Sequence, residues 1–249
     1  MSEIVCFHGA DHKCGVSMVT QSVAERLATA MPDKKILLVY ARTGSCEYAA
    51  DVRESIDTIR PYLAGKLVDP GEIMARAKWK KNLYIIGGPE GEYLSEDLHP
   101  DTARYLLDTL RAKADIILCD CGCEPQSGLS LGALLSADYV YYVTTQSETA
   151  LRRLSWLMPL YQKLGMKKTL LIVNRYERNE AANVAYISER TGFEGDRIIT
   201  VRNSEAGRKA ETEYRSLATY SDSGLRRDMD AIAVRIAEMT GLRPLRASV

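Results

Sequence analysis

The sequence predicts a three-layer α/β fold built on a mostly parallel central sheet of about seven strands. Two observations carry this. Short runs rich in Ile, Val, Leu and Tyr recur along the 249 residues without polar alternation, as strands covered on both faces require. Between them lie segments with apolar residues at helical spacing. Such strictly alternating order demands parallel strands joined by right-handed helical crossovers.

The strands are expected over 4–8, 35–40, 83–86, 116–119, 140–143 and 170–173, with a short seventh over 198–201. Helices are expected over 17–30, 101–113, 129–135, 148–164, 180–191 and 225–239. Gly165 and Gly192 stand where helix C-terminal glycines belong. The stretch 43–81 has no sustained period and reads as helices and loops. No linker, repeat or low-complexity tract interrupts 1–249, so one domain is expected, with 242–249 as a loose tail.

Composition narrows the function classes. Hydrophobic residues make up 46% and charged residues 27%, and Lys+Arg equals Asp+Glu at 33 each. Such a balance exerts no global pull toward nucleic acid or anionic lipid. Residues 197–249 carry ten Lys/Arg against seven Asp/Glu. An excess of three is that of an ordinary solvated face, so no specific nucleic-acid binding is expected. No apolar run reaches the ~20 residues of a membrane span, and the last helix mixes charges with small alanines, unlike an amphipathic anchor. Met1-Ser2-Glu3 leads into a strand without the layout of a signal peptide. Six cysteines then read as reduced thiols of a cytoplasmic protein.

The chemistry concentrates after the first strand. Residues 10–16 join a buried strand to a helix, an arrangement that aims backbone N–H groups and the positive end of a helix dipole at one point. A working phosphate loop adds a lysine for the β/γ-phosphates and a Ser/Thr hydroxyl for Mg²⁺. Here Gly15 fills the glycine position, Ser17 the hydroxyl position and Val16 the lysine position. A plain strand–helix turn with Ser17 as N-cap accounts for the same residues.

Asp11-His12-Lys13-Cys14-Gly15-Val16-Ser17 resembles the deviant Walker A loop of the MinD/ParA family of P-loop ATPases, whose usual form is Lys-Gly-Gly-x-Gly-Lys-[Ser/Thr]. Asp11 then stands for the signature lysine, and His12 and Lys13 for two glycines. Further segments carry the likeness. Asp120 ends a strand like the Walker B aspartate, and 137–145 resembles the strand that follows it. Leu171-Ile-Val-Asn174-Arg175 resembles the "VNR" strand, whose asparagine lies against adenine. Tyr40 and Arg42 occupy the places of the second strand's aspartates. The segment 202–217 resembles the family's region after the last strand.

The resemblance implies a P-loop NTPase-like fold and a site for ATP or ADP with Mg²⁺. It assigns Asp11, His12, Lys13, Cys14, Gly15, Val16, Ser17, Met18 and Asn174 to the nucleotide, and Ser17 and Asp120 to the metal. It also implies a homodimer in which Asp11 of one subunit meets Lys13 or Arg42 of the other. With both lysines and the second-strand aspartates missing, hydrolysis is expected to be weak or absent. The atypical pilus-assembly members, TadZ and CpaE, often lack the second lysine, which implies a scaffold that localises a pilus or secretion machine. An active ATPase in DNA partition or division-site positioning is the alternative. A third reading sets Cys14, Cys121 and Cys123 as a metal or redox cluster, against the commoner role of free cysteine as a small buried hydrophobe. His8, His12 and His99 share no ligand spacing. For Asp120, capping or pairing with Lys13 is the plain structural role.

Overall fold

The structure is a computed structural model that describes residues 2–44, 46, 48–49, 51–90, 98–166 and 169–242. All seven expected strands form: β1 (Glu3–Gly9), β2 (Ile36–Tyr40), β4 (Leu83–Gly87), β5 (Ile116–Asp120), β6 (Tyr139–Thr144), β7 (Thr169–Tyr176) and β8 (Ile198–Arg202). An eighth, β3 (Glu54–Ser55), falls in the stretch expected to be helices and loops. Two polar residues give no hydrophobic period, so β3 had no sequence signal. Every pairing between two of these strands is parallel, and the order is β3-β4-β2-β5-β1-β6-β7-β8.

Nine α-helices accompany the sheet among the described residues: α1 (Val16–Ala30), α2 (Ile56–Leu63), α3 (Pro70–Arg76), α4 (Pro100–Leu110), α5 (Gly128–Ser136), α6 (Glu148–Lys163), α7 (Val184–Thr191), α8 (Glu205–Glu213) and α9 (Ser223–Met239). Glycines at 165 and 192 take left-handed φ after α6 and α7, as helix ends favour. α7 starts four residues later than its pattern suggested, because Asn183 caps it by accepting from Tyr186 N at 3.0 Å. None of these helices is long and apolar enough to cross a membrane. Of the expected tail, 243–249 lies outside the described residues.

Successive strand residues feed opposite cores. Val5, Phe7, Leu38, Tyr40 and Leu118 pack beneath α1 and α9. Ile4, Cys6, Leu37, Val39 and Cys119 pack beneath α2 to α7. β1 lies between β5 and β6, so the chain leaves it toward one half of the sheet and returns to build the other. In open parallel sheets, ligands bind beyond the carboxyl ends of strands at such a reversal. The loop 10–15 stands there.

Candidate functional site

The loop's shape rests on Gly15. Its φ is +85°, in the left-handed region, and a side-chain carbon there would lie 2.3 Å from Asn174 Nδ2. Gly15 is the N-cap of α1, and no side chain caps that helix. Ser17 is therefore not the N-cap but a first-turn residue, and among the described residues no side chain accepts from the first-turn N–H groups of α1. Asn174 is 1% exposed and its Nδ2 donates to Cys14 O at 2.8 Å. It braces the loop from below rather than facing the open space above it.

That space is a cavity of about 350 Å³, within the range of about 300–1,000 Å³ of small-molecule sites. Residues 11–18 line it, with Arg42, Tyr48, Gly122, Cys123, Arg175, Glu211 and Tyr214. Five non-glycine residues among those described have left-handed φ, and three of them, Lys13, Arg175 and Tyr214, line this cavity. Strained backbone of this kind persists where the surrounding structure holds it, and it clusters at functional sites.

Val16, at the lysine position, is 7% exposed and packs into the core beside Gly9. It has no group to offer a phosphate. Tyr40 is fully buried, and its hydroxyl donates to Gln21 Oε1 at 2.9 Å, so it serves the interior beneath α1.

Arg42 is the decisive neighbour. Its Nε donates to Asp120 Oδ2 at 3.0 Å and to Ser17 Oγ at 3.1 Å. The Asp120 side chain is 0% exposed and that of Arg42 15%. The two side chains expected to hold Mg²⁺ therefore hold a guanidinium, and Asp120 pairs with Arg42 rather than Lys13. A divalent cation does not fit this donor set while Arg42 stands in it. The β2–β5 register explains the meeting. Tyr40 lies opposite Asp120, so Arg42, two residues on, emerges at the same edge.

Asp11 is also taken within the chain. Arg153 Nη1 on α6 donates to Asp11 Oδ1 at 2.9 Å, and Asp11 Oδ1 accepts from His12 N at 2.8 Å. Asp11 and Arg42, the residues expected to face a partner's charges, thus each have an intrachain partner, Arg153 and Asp120. Arg175 pairs with Glu211 at 2.7 Å. Lys13, exposed at the loop's tip, has no ion-pair partner among the described residues.

The cysteine cluster does not assemble. Cys121 lies with Cys6 in the core beneath α2 to α7, away from Cys14 and Cys123, which both line the cavity. Cys119 is buried, as expected. Burial pushes the Cys14 thiol up to about 11 and that of Cys123 up to about 12, so both are protonated at neutral pH. His12 Nδ1 lies 3.2 Å from Cys123 Sγ, and His12 Nε2 lies 2.8 Å from Glu124 Oε1. These three form the one group of side chains within reach of a common metal among the described residues. Their polar atoms already serve one another, and Arg153 Nη2 stands 3.9 Å from Glu124 Oε1.

Behind the loop, His8 is fully buried, with Nε2 2.6 Å from Tyr161 Oη. Burial lowers its pKa to about 4, so the ring is neutral near pH 7. Sequence reasoning missed the roles of Arg153, Glu211 and Tyr214. Nothing in a helix pattern tells a cavity-lining residue from a solvated one.

No protein-family model matches the chain, and no curated protein matches it. Solved structures do. A ParA family ATPase from Chlorobium tepidum TLS superposes with a TM-score of 0.81 at 18% identity, covering 94% of this chain and 98% of that one. The septum site-determining protein MinD of Pyrococcus horikoshii OT3, complexed with Mg-ADP, gives 0.69 at 18% identity and covers 100% of both chains. The MinC:MinD cell division protein complex of Aquifex aeolicus gives 0.72 at 16%, covering 98% of this chain and 99% of that one. At such identities the likeness establishes the fold: this chain is folded as the ParA and MinD ATPases are.

Proposed function

We propose that this chain is a MinD/ParA-like regulator or scaffold whose cavity binds nucleotide without appreciable turnover. One observation carries the reading: a buried valine stands at the lysine position, beside an arginine that holds both would-be metal ligands. Hydrolysis needs positive charge placed where negative charge develops on the γ-phosphate, and an oriented water. Val16 and Tyr40 contribute to neither. The open N–H groups of α1, with Lys13 and Arg175 at the cavity, favour an anion.

The resemblance to TadZ and CpaE, which tolerate loss of the second lysine, supports a scaffold that localises a Tad-type pilus or secretion machine. A scaffold without a hydrolytic cycle works as a constitutive homodimer, and the loop face is its natural contact. Because Asp11 is satisfied by Arg153, a two-fold contact there would rest on Lys13, which has no ion-pair partner among the described residues, and Lys13→Glu should change the sedimentation of the protein at moderate salt.

Purified protein with ATP and Mg²⁺ should release negligible phosphate. Val16→Lys should not restore release, because Tyr40 and Arg42 still stand where aspartates are needed. ATP or ADP should raise the melting temperature by linkage, and less so in Gly15→Val, whose side chain collides with Asn174. Robust Mg²⁺-dependent hydrolysis by the wild type would support the second reading, an active ATPase in DNA partition or division-site positioning. The names of the similar solved structures, a ParA family ATPase and the MinD proteins, favour that reading.

A further inference from the structure

Arg42 does not drift at the cavity's edge; it is built in. Gly122 has φ +56°, a left-handed conformation that favours glycine, and a side-chain carbon there would lie 3.2 Å from Arg42 Cβ and 3.4 Å from Arg42 Cδ, so the arm packs closely against this turn. Gly122 N in turn donates to Asp120 Oδ1 at 3.1 Å. Asp120 thus spends one oxygen on the backbone and the other on Arg42. The guanidinium lies 5.5 Å from the centre of the Tyr40 ring and donates through Nη1 to Thr43 O at 2.8 Å. Four elements converge on this one cation: the end of β2, the end of β5, the turn after β5 and the first turn of α1.

A metal ion at this point would have to evict Arg42 from a fully buried carboxylate, or share the carboxylate with it at close like-charge range. Eviction would give up the hydrogen bonds of Arg42 to Asp120, Ser17 and Thr43 together, and sharing would set two cations on one carboxylate. Hard divalent cations also need several oxygen ligands, and both Asp120 oxygens and Ser17 Oγ already accept hydrogen bonds here. Guanidinium, by contrast, stays charged at every accessible pH and recognises phosphate as well as carboxylate.

We propose that Arg42 is a resident cation in the place of Mg²⁺, and that the cavity takes its nucleotide as the metal-free polyphosphate. This rests on the reading that the cavity binds nucleotide at all. Free Mg²⁺ then acts as a competitor. It withdraws ATP into a complex whose metal has no seat in the protein, so apparent affinity falls as Mg²⁺ rises. A Mg²⁺-dependent site has the opposite sign.

The test uses the full wild-type chain, with ATP or ADP titrated in EDTA and again in excess MgCl₂, read by melting temperature and by calorimetry. Binding in EDTA at least as tight as in Mg²⁺, and weakening as Mg²⁺ is added, is the expected result. Binding that requires Mg²⁺, or is ten-fold tighter with it, overturns the inference and leaves the nucleotide reading standing. No binding under either condition overturns both. Mn²⁺ alone, followed by electron paramagnetic resonance, gives a second readout. Wild type should bind none at this point, whereas Arg42→Ala, with Ser17 and Asp120 released, should bind it. Mn²⁺ bound by wild type and lost in Asp120→Asn also overturns the inference, and needs no Arg42 variant to fold.

Discussion

Two arginine–carboxylate pairs flank the loop, and they differ in what surrounds them. Arg42 reaches Asp120, whose side chain is 0% exposed, at the junction of β2, β5 and α1. Arg153 reaches Asp11, where the two side chains are 31% and 25% exposed. The inner carboxylate has lost its water and depends on its cation, whereas the outer one is partly hydrated and screened by salt. The same chemistry is therefore structural at the floor of the cavity and adjustable at its rim. That difference suits a loop whose base is fixed and whose tip, with the exposed Lys13, faces outward.

The largest expected effect breaks the inner pair. Arg42→Ala should cost about 3–5 kcal/mol of stability by leaving Asp120 buried without a counter-charge. Urea denaturation measures it, and adding Asp120→Asn should recover part of the loss because a neutral amide needs no cation. A loss no larger than that of a surface substitution would erase the contrast between the two pairs.

His8 sharpens the comparison as a buried titratable group kept neutral. Its pKa is about 4 when folded, against an ordinary value of 6.5. The unfolded chain therefore binds the proton first as pH falls. Its contribution to stability is complete above pH 6.5 and is lost progressively down to about 4. The loss is on the order of 3 kcal/mol by linkage. His8→Gln should flatten that part of the stability–pH curve. An unchanged slope would mean that the ring is hydrated or charged in the folded protein.

The outer pair should give the smallest effect. Arg153→Ala is expected to cost about 0.2–1 kcal/mol, as exposed pairs do, and the difference from wild type should shrink at high salt. A loss approaching that of Arg42→Ala would show that Asp11 organises the loop as strongly as Asp120 does.

The sequence spoke clearly where physics is local. Unalternating runs such as Lys35-Ile-Leu-Leu-Val-Tyr40 admit little besides a strand covered on both faces, and all seven formed. A glycine before a helix, a serine two residues on and an aspartate ending a buried strand were visible by position alone. β3 was not, because two polar residues carry no period, and it is their pairing with β4 that makes them a strand. The sequence likewise marked Arg42 as standing in an aspartate's place but could not say what it touches. That depends on β5 lying beside β2 with Tyr40 opposite Asp120, a pairing between residues eighty positions apart. Local propensity decided the elements. Which cation sits on the buried carboxylate was decided by strand order and register, because ion pairs form between neighbours in space and the sequence lists only neighbours along the chain.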